Sequence, residues 1–161
     1  MYSLNKKGQG STEYLVLLAM VLIVAMVAIA LLGFFPGLAG DARATQSATY
    51  WSGTARPFAI KDHTLATGAT SPITLQIQNL DSDTKQITAI ELYGLGVNRT
   101  NSSVNTYLTG GQVVSIVART ASGSCTTGSP YEFNVTITYS TVGGLAGAKQ
   151  IGTKSLIGTC G

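Results

Sequence analysis

Chemistry needs titratable or nucleophilic side chains gathered together, and this chain supplies few. His63 is its only histidine, and no second His or Cys stands at metal-ligand spacing from it. Asn79, Asp81 and Asp83 alternate as at the start of a calcium loop, but the glycine and closing glutamate of such a loop are missing. No glycine-rich phosphate loop occurs, and Asp62 with His63 reads as a strand-end pair rather than a base. The expectation is a protein that is not an enzyme and holds neither metal nor cofactor. Three other groups of residues do carry chemistry. Lys6, Lys7 and Gly8 precede Glu13, a carboxylate at the head of a long uncharged run. Cys125 and Cys160 are the two cysteines of the chain, as one secreted disulfide requires; two buried free thiols are the alternative. Asn98, Asn101 and Asn134 each begin an Asn-x-Ser/Thr sequon and are candidates for N-glycosylation.

The element that positions the first group is a helix. Residues 14–35 hold no charge, and at about 1.5 Å per residue they span about 33 Å, the thickness of a bilayer's hydrocarbon core. A secretory signal would place its small-residue cleavage site after the apolar region, whereas here the processing-like Lys-Lys-Gly comes before it. A carboxylate at the head of a lipid-spanning helix is costly unless paired, which marks Glu13 as functional. Its bland counterpart is a first-turn acid that complements the helix dipole at headgroup level.

The string Lys6-Lys7-Gly8-Gln9-Gly10-Ser11-Thr12-Glu13-Tyr14-Leu15, with the apolar run behind it, resembles the class III signal motif of archaeal type IV-like pilins. The resemblance implies that a membrane prepilin peptidase cuts between Gly8 and Gln9. The leader lysines Lys6 and Lys7 would then be lost, with Gln9 the first mature residue and Glu13 the fifth. It further implies a homo-oligomeric helical filament built by an assembly ATPase and a membrane platform protein, with Gln9 and Glu13 serving assembly. Archaellins share the general architecture, but the Gln-Gly-Ser-Thr-Glu-Tyr string is more similar to adhesion-type pilins. The expected function is a major pilin in a surface or cell-adhesion pilus. A minor or tip pilin, and a membrane-tethered binding domain that never polymerises, are the alternatives. An electron-conducting filament has no haem-attachment Cys-x-x-Cys-His to support it.

Charge and composition agree on the side of the membrane. Lys6 and Lys7 flank one end of the apolar run and no basic residue follows it until Arg43, so the N-terminus stays cytoplasmic and the rest lies outside. The cysteine pair and the sequons fit that external location. Charged residues make up 11% of the chain and the net charge is +3. Without a basic patch, nucleic acid is not a partner.

Three regions follow: a leader at residues 1–8, a hydrophobic helix at 9–52 and an extracellular head at 53–161. The helix begins near Gly10 or Ser11, with Ser11 or Thr12 as caps. Ala19, Ala25, Ala28 and Ala30 allow close helix packing, and Gly33 with Pro36-Gly37 should kink or locally melt it. Helical sequence resumes at Leu38, and Tyr50 and Trp51 join the core of the head, a membrane-interface belt being the other reading. After Gly53 apolar residues alternate at period two. Strands are expected at 58–60, 72–79, 86–93, 112–118 and 131–139, with a last one between 150 and 157. A turn is expected at 79–83 and a loop through Asn98 and Asn101. Asn134 faces away from the Phe133 side, which suits a glycan. Joining Cys125 to Cys160 would close a loop over two strands and pin an end that would otherwise fray. The expected fold class is α+β: a long N-terminal hydrophobic α-helix followed by an all-β, Ig-like sandwich.

Overall fold

The computed structural model describes residues 9–94, 97–119 and 124–161, and of residues 9, 11, 33–39 and 97 the backbone alone. Helix α1 runs Gln9–Thr49 and passes into a π-helical turn, Tyr50–Thr54. Nine strands follow among the described residues: β1 (Phe58–Leu65), β2 (Ile73–Asn79), β3 (Lys85–Gly94), β4 (Val97–Asn101), β5 (Thr106–Leu108), β6 (Val113–Ala118), β7 (Pro130–Thr141), β8 (Ala148–Ile151) and β9 (Leu156–Thr159). Chain contacts divide the protein into Met1–Ala42 and Arg43–Gly161.

In the first unit, the stretch Thr12–Leu32 has a mean hydropathy of 3.3 and none of it is buried. Met26 is 71% exposed and Ile29 69%. A helix apolar on every side has no polar face to give to water, so it belongs in lipid or among other helices. The chain is already helical at Gln9, so Ser11 and Thr12 lie within the helix and do not cap it; once nucleated, a helix extends at little further cost. The expected melting at Gly33 and Pro36-Gly37 does not occur either, since α1 stays α-helical through them. Proline forfeits one backbone bond, while freeing more polar backbone in an apolar setting would cost several kcal/mol per group (about that order).

The second unit is built on two antiparallel sheets. One has the order β1-β2-β6; the other has the order β4-β3-β7-β8, with β5 also paired to β3 and β9 to β7. Alternation decides which side faces in: Ile73, Leu75 and Ile77 of β2 and Tyr131, Phe133, Val135 and Ile137 of β7 are buried, and together they help form a single core. The turn at residues 79–83 is held by Asn79, whose Nδ2 donates to the Asp83 and Leu108 carbonyls and whose Oδ1 accepts from the Asp81 amide. Asp81 pairs with Lys85 at 3.1 Å.

Two expectations about the strands are corrected, and one strand, β5, is added. The loop expected through Asn98 and Asn101 contains β4, whose inward residue is Arg99, fully buried; a charged inward side chain hides the alternation. The single last strand is two, β8 and β9, separated at residues 152–155. The three-residue β5 is too short to carry a period. Both open edges of the sandwich are stitched: Leu65 bridges Cys160, and Thr100 bridges Arg119. A third stitch is a side chain posing as a strand, since the buried Gln150 carboxamide accepts from the Phe58 amide (2.9 Å) and donates to its carbonyl (2.8 Å).

Candidate functional site: the apolar helix and its footing

Glu13 is the fifth residue of α1 and is exposed. It stands past the first turn, where the pull of the helix dipole has faded. Gln9 lies one turn before it, a spacing that brings two positions onto one helix face. The expectations for Lys6, Lys7 and Gly8, and with them the cleavage site, fall outside the described residues, as does the side chain of Gln9.

The last turns of α1, from Arg43 on, pack with the strands. Where β8 gives way to β9, the backbone leaves the ladder and its polar groups need other partners. Ser47 supplies them: its buried Oγ donates to the Ser155 carbonyl at 2.7 Å and accepts from the Ile157 amide at 3.1 Å. One turn on, Trp51 is 1% exposed and its Nε1 donates to the Lys154 carbonyl at 3.0 Å. Tyr50 stands edge-on to it with ring centroids 5.1 Å apart, and its hydroxyl accepts from the Thr153 amide. Trp51 therefore joins the core as expected, while Tyr50 is half-buried against it. Gly152 is required here, because a Cβ at that position would overlap the indole ring. Arg43 closes the footing with a two-pronged pair to Glu132, both bonds 2.9 Å. Both partners are largely exposed, so the pair fixes geometry more than it adds stability. Sequence reasoning missed Ser47 and Gly152, since a serine in an Ala/Thr/Ser/Gln helix and a glycine after a strand carry no distinguishing signal.

The other residues singled out from sequence are scattered over the head. Asp62 Oδ1 accepts from the His63 backbone amide at 2.8 Å, but the His63 ring meets the Tyr131 hydroxyl at 2.5 Å; the pair expected at a strand end lies inside β1, which runs on to Leu65, and is a backbone contact. Burial pulls the imidazole below its ordinary range, against the charge of Asp62. Burial, helped by Asp62, pushes the Tyr131 phenol up to about 12. With the imidazole neutral, its tautomer sets which of Nδ1 and the phenol donates. Arg99 donates from Nε to the Ser71 carbonyl at 3.1 Å and lies 4.9 Å over the Phe133 ring. Its two terminal nitrogens are buried without a hydrogen-bond partner among the described residues, and burial lowers its proton affinity.

Cys125 and Cys160 form a disulfide, with Cα atoms 6.0 Å apart, so the free-thiol alternative falls. The sequons differ sharply. Asn98 is exposed on β4. Asn101 is half-buried, its Nδ2 donating to the Val117 carbonyl at 2.9 Å. Asn134 is exposed on the outward side of β7, and its Oδ1 accepts from Ser155 Oγ at 3.1 Å.

A long apolar helix followed by two antiparallel sheets is a pilin-like α+β architecture. Residues 6–32 match the class III signal peptide family. The chain is therefore a class III signal-peptide protein, exported and membrane-anchored through its apolar helix, and such a signal implies processing by a prepilin peptidase. No curated protein matches the chain.

Proposed function

We propose that this protein is the major structural subunit of an archaeal type IV-like pilus that serves adhesion, and that it does no catalysis of its own. One observation carries the reading: within a class III signal match, Thr12–Leu32 is apolar all round and none of its residues is buried within its own chain. In the precursor, lipid covers that surface. Cleavage after Gly8 removes Lys6 and Lys7 and frees an amine at Gln9. The helical spacing from Gln9 to Glu13 supports pairing of that amine with the carboxylate, on its own chain or a neighbour's. An unpaired charge in an apolar medium costs several kcal/mol (of that order), so pairing selects the register of entry. The helices then exchange lipid for one another, and repetition of one heterologous contact gives an open helical filament. The sheets form its outer sheath.

Mass spectrometry of appendages sheared from the cell surface tests this. The expected result is a major polypeptide beginning at Gln9. A chain that stays monomeric in the membrane with Lys6 and Lys7 attached would instead identify a tethered domain, and one found in a few copies at filament ends a tip subunit.

A further inference from the structure

Beside the footing of the helix lies an open cavity of about 190 Å³, lined among others by Arg43, Gln46, Glu132, Thr153, Lys154 and Ser155. Its walls hold a guanidinium, an amide, an ammonium, a carboxylate and the hydroxyls of Ser47, Thr153 and Ser155, beside the apolar Ile157. Such a mainly polar set suits a ligand rich in hydroxyl groups. Arg43 and Glu132 are already locked to each other, so the wall is preorganised.

Asn134 does not line this cavity but is bonded to a residue that does, Ser155. It shares the outward side of β7 with Glu132, two residues away and therefore about 7 Å along the strand. Its Oδ1 is tied to Ser155, itself a lining residue. That bond fixes the plane of the amide and leaves Nδ2, the atom that takes a sugar, without an acceptor among the described residues, whereas at Asn101 it is held by the Val117 carbonyl. We infer that Asn134 carries an N-linked glycan whose first sugar lies in the cavity and braces the footing of α1 against β7 and β9. The inference rests on the surface location proposed above. In the modification, Nδ2 forms a bond to the anomeric carbon of a lipid-linked glycosyl phosphate, supplied with its transferase by the host. The anomeric carbon–oxygen bond breaks, the lipid phosphate leaves, and the amide loses one proton.

The three sequons fall on separate tryptic peptides, residues 86–99, 100–119 and 120–149, so mass spectrometry of native filaments assigns the site directly. The peptide 120–149 is expected to carry a glycan. A bare Asn134 on chains that begin at Gln9 would overturn this inference and leave the pilus reading standing. Placement in the cavity is tested by coupling. Thr136→Ala removes the sequon without touching Asn134, and is expected to lower the melting temperature of host-expressed protein by about 4 °C or more. Gln46→Trp fills the cavity, as does Thr153→Tyr from the opposite wall, and in either background Thr136→Ala is expected to change nothing further. Thr136→Ala protein from a non-glycosylating host provides the reference for the substitution itself. Equal losses with and without the filled cavity, or no loss at all, would place the sugar in solvent and refute the proposal.

Discussion

At the scale of single residues, two of the head's groups with shifted pKa values, His63 and Tyr131, meet side chain to side chain. Gly158 makes room for both, because a Cβ there would press on the Tyr131 hydroxyl and the His63 ring. Burial lowers the His63 pKa in the folded protein, so below about 6.5 the unfolded chain binds more protons. Stability therefore falls as pH drops through 6.5 toward the folded value, and His63→Phe should flatten that limb in urea titrations. Tyr131 is raised to about 12; here the folded state holds its proton longer, so stability is lost as pH rises from about 10 through that value. Tyr131→Phe should remove this second limb. Arg99 presents the opposite case of a buried charge whose outer nitrogens lack partners among the described residues. An uncompensated buried charge costs stability, so Arg99→Met should raise or preserve the urea midpoint; a clear drop would mean the guanidinium has an acceptor in the assembled protein. Glu13→Gln should leave the head folded and membrane insertion intact but reduce filament yield, scored by electron microscopy. Normal filaments from that variant would remove the charge-pairing step.

At the scale of elements, the decisive joint is the break between β8 and β9. A continuous strand there would satisfy its own backbone and offer nothing to α1. The break leaves the Ser155 carbonyl and Ile157 amide for Ser47, and the Lys154 carbonyl for Trp51. Ser47→Ala would strand two backbone groups at a part-buried site, at about 1–3 kcal/mol. Gly152→Val should cost more, because the added atoms overlap the buried indole. Both losses should appear in thermal melting of the head, and Ser47→Ala should expose the last turns of α1 to hydrogen exchange before the strands. Of this joint, Trp51 was legible in the sequence, as an aromatic pair at the start of the alternating region. Ser47 and Gly152 were not, since their roles depend on where two distant segments, more than 100 positions apart in sequence, come to lie.

At the scale of the whole molecule, the head is closed by contacts at both edges. Cys160 bridges Leu65 in the first sheet and is joined to Cys125 across 35 residues. In the chain-entropy treatment a loop of that size contributes roughly 3–4 kcal/mol, so Cys125→Ser with Cys160→Ser should lower the urea midpoint by a corresponding amount without altering the two-sheet fold by circular dichroism. What the sequence determined by itself was whatever depends on neighbours along the chain: an uncharged run long enough to cross a bilayer, the basic leader before it, period-two alternation in β2 and β7, and the turn at Asn79. These signals survive because one-dimensional spacing maps directly onto helix length and strand face. Tertiary structure alone decided the rest. It turned a charged segment into β4, split the last strand, chose Ser47 as the partner of β9, and bonded Asn134 to Ser155 while tying Asn101 to a carbonyl. Each of those depends on which groups remain unsatisfied once the sheets have formed, and that is a property of three-dimensional contact that no local pattern encodes.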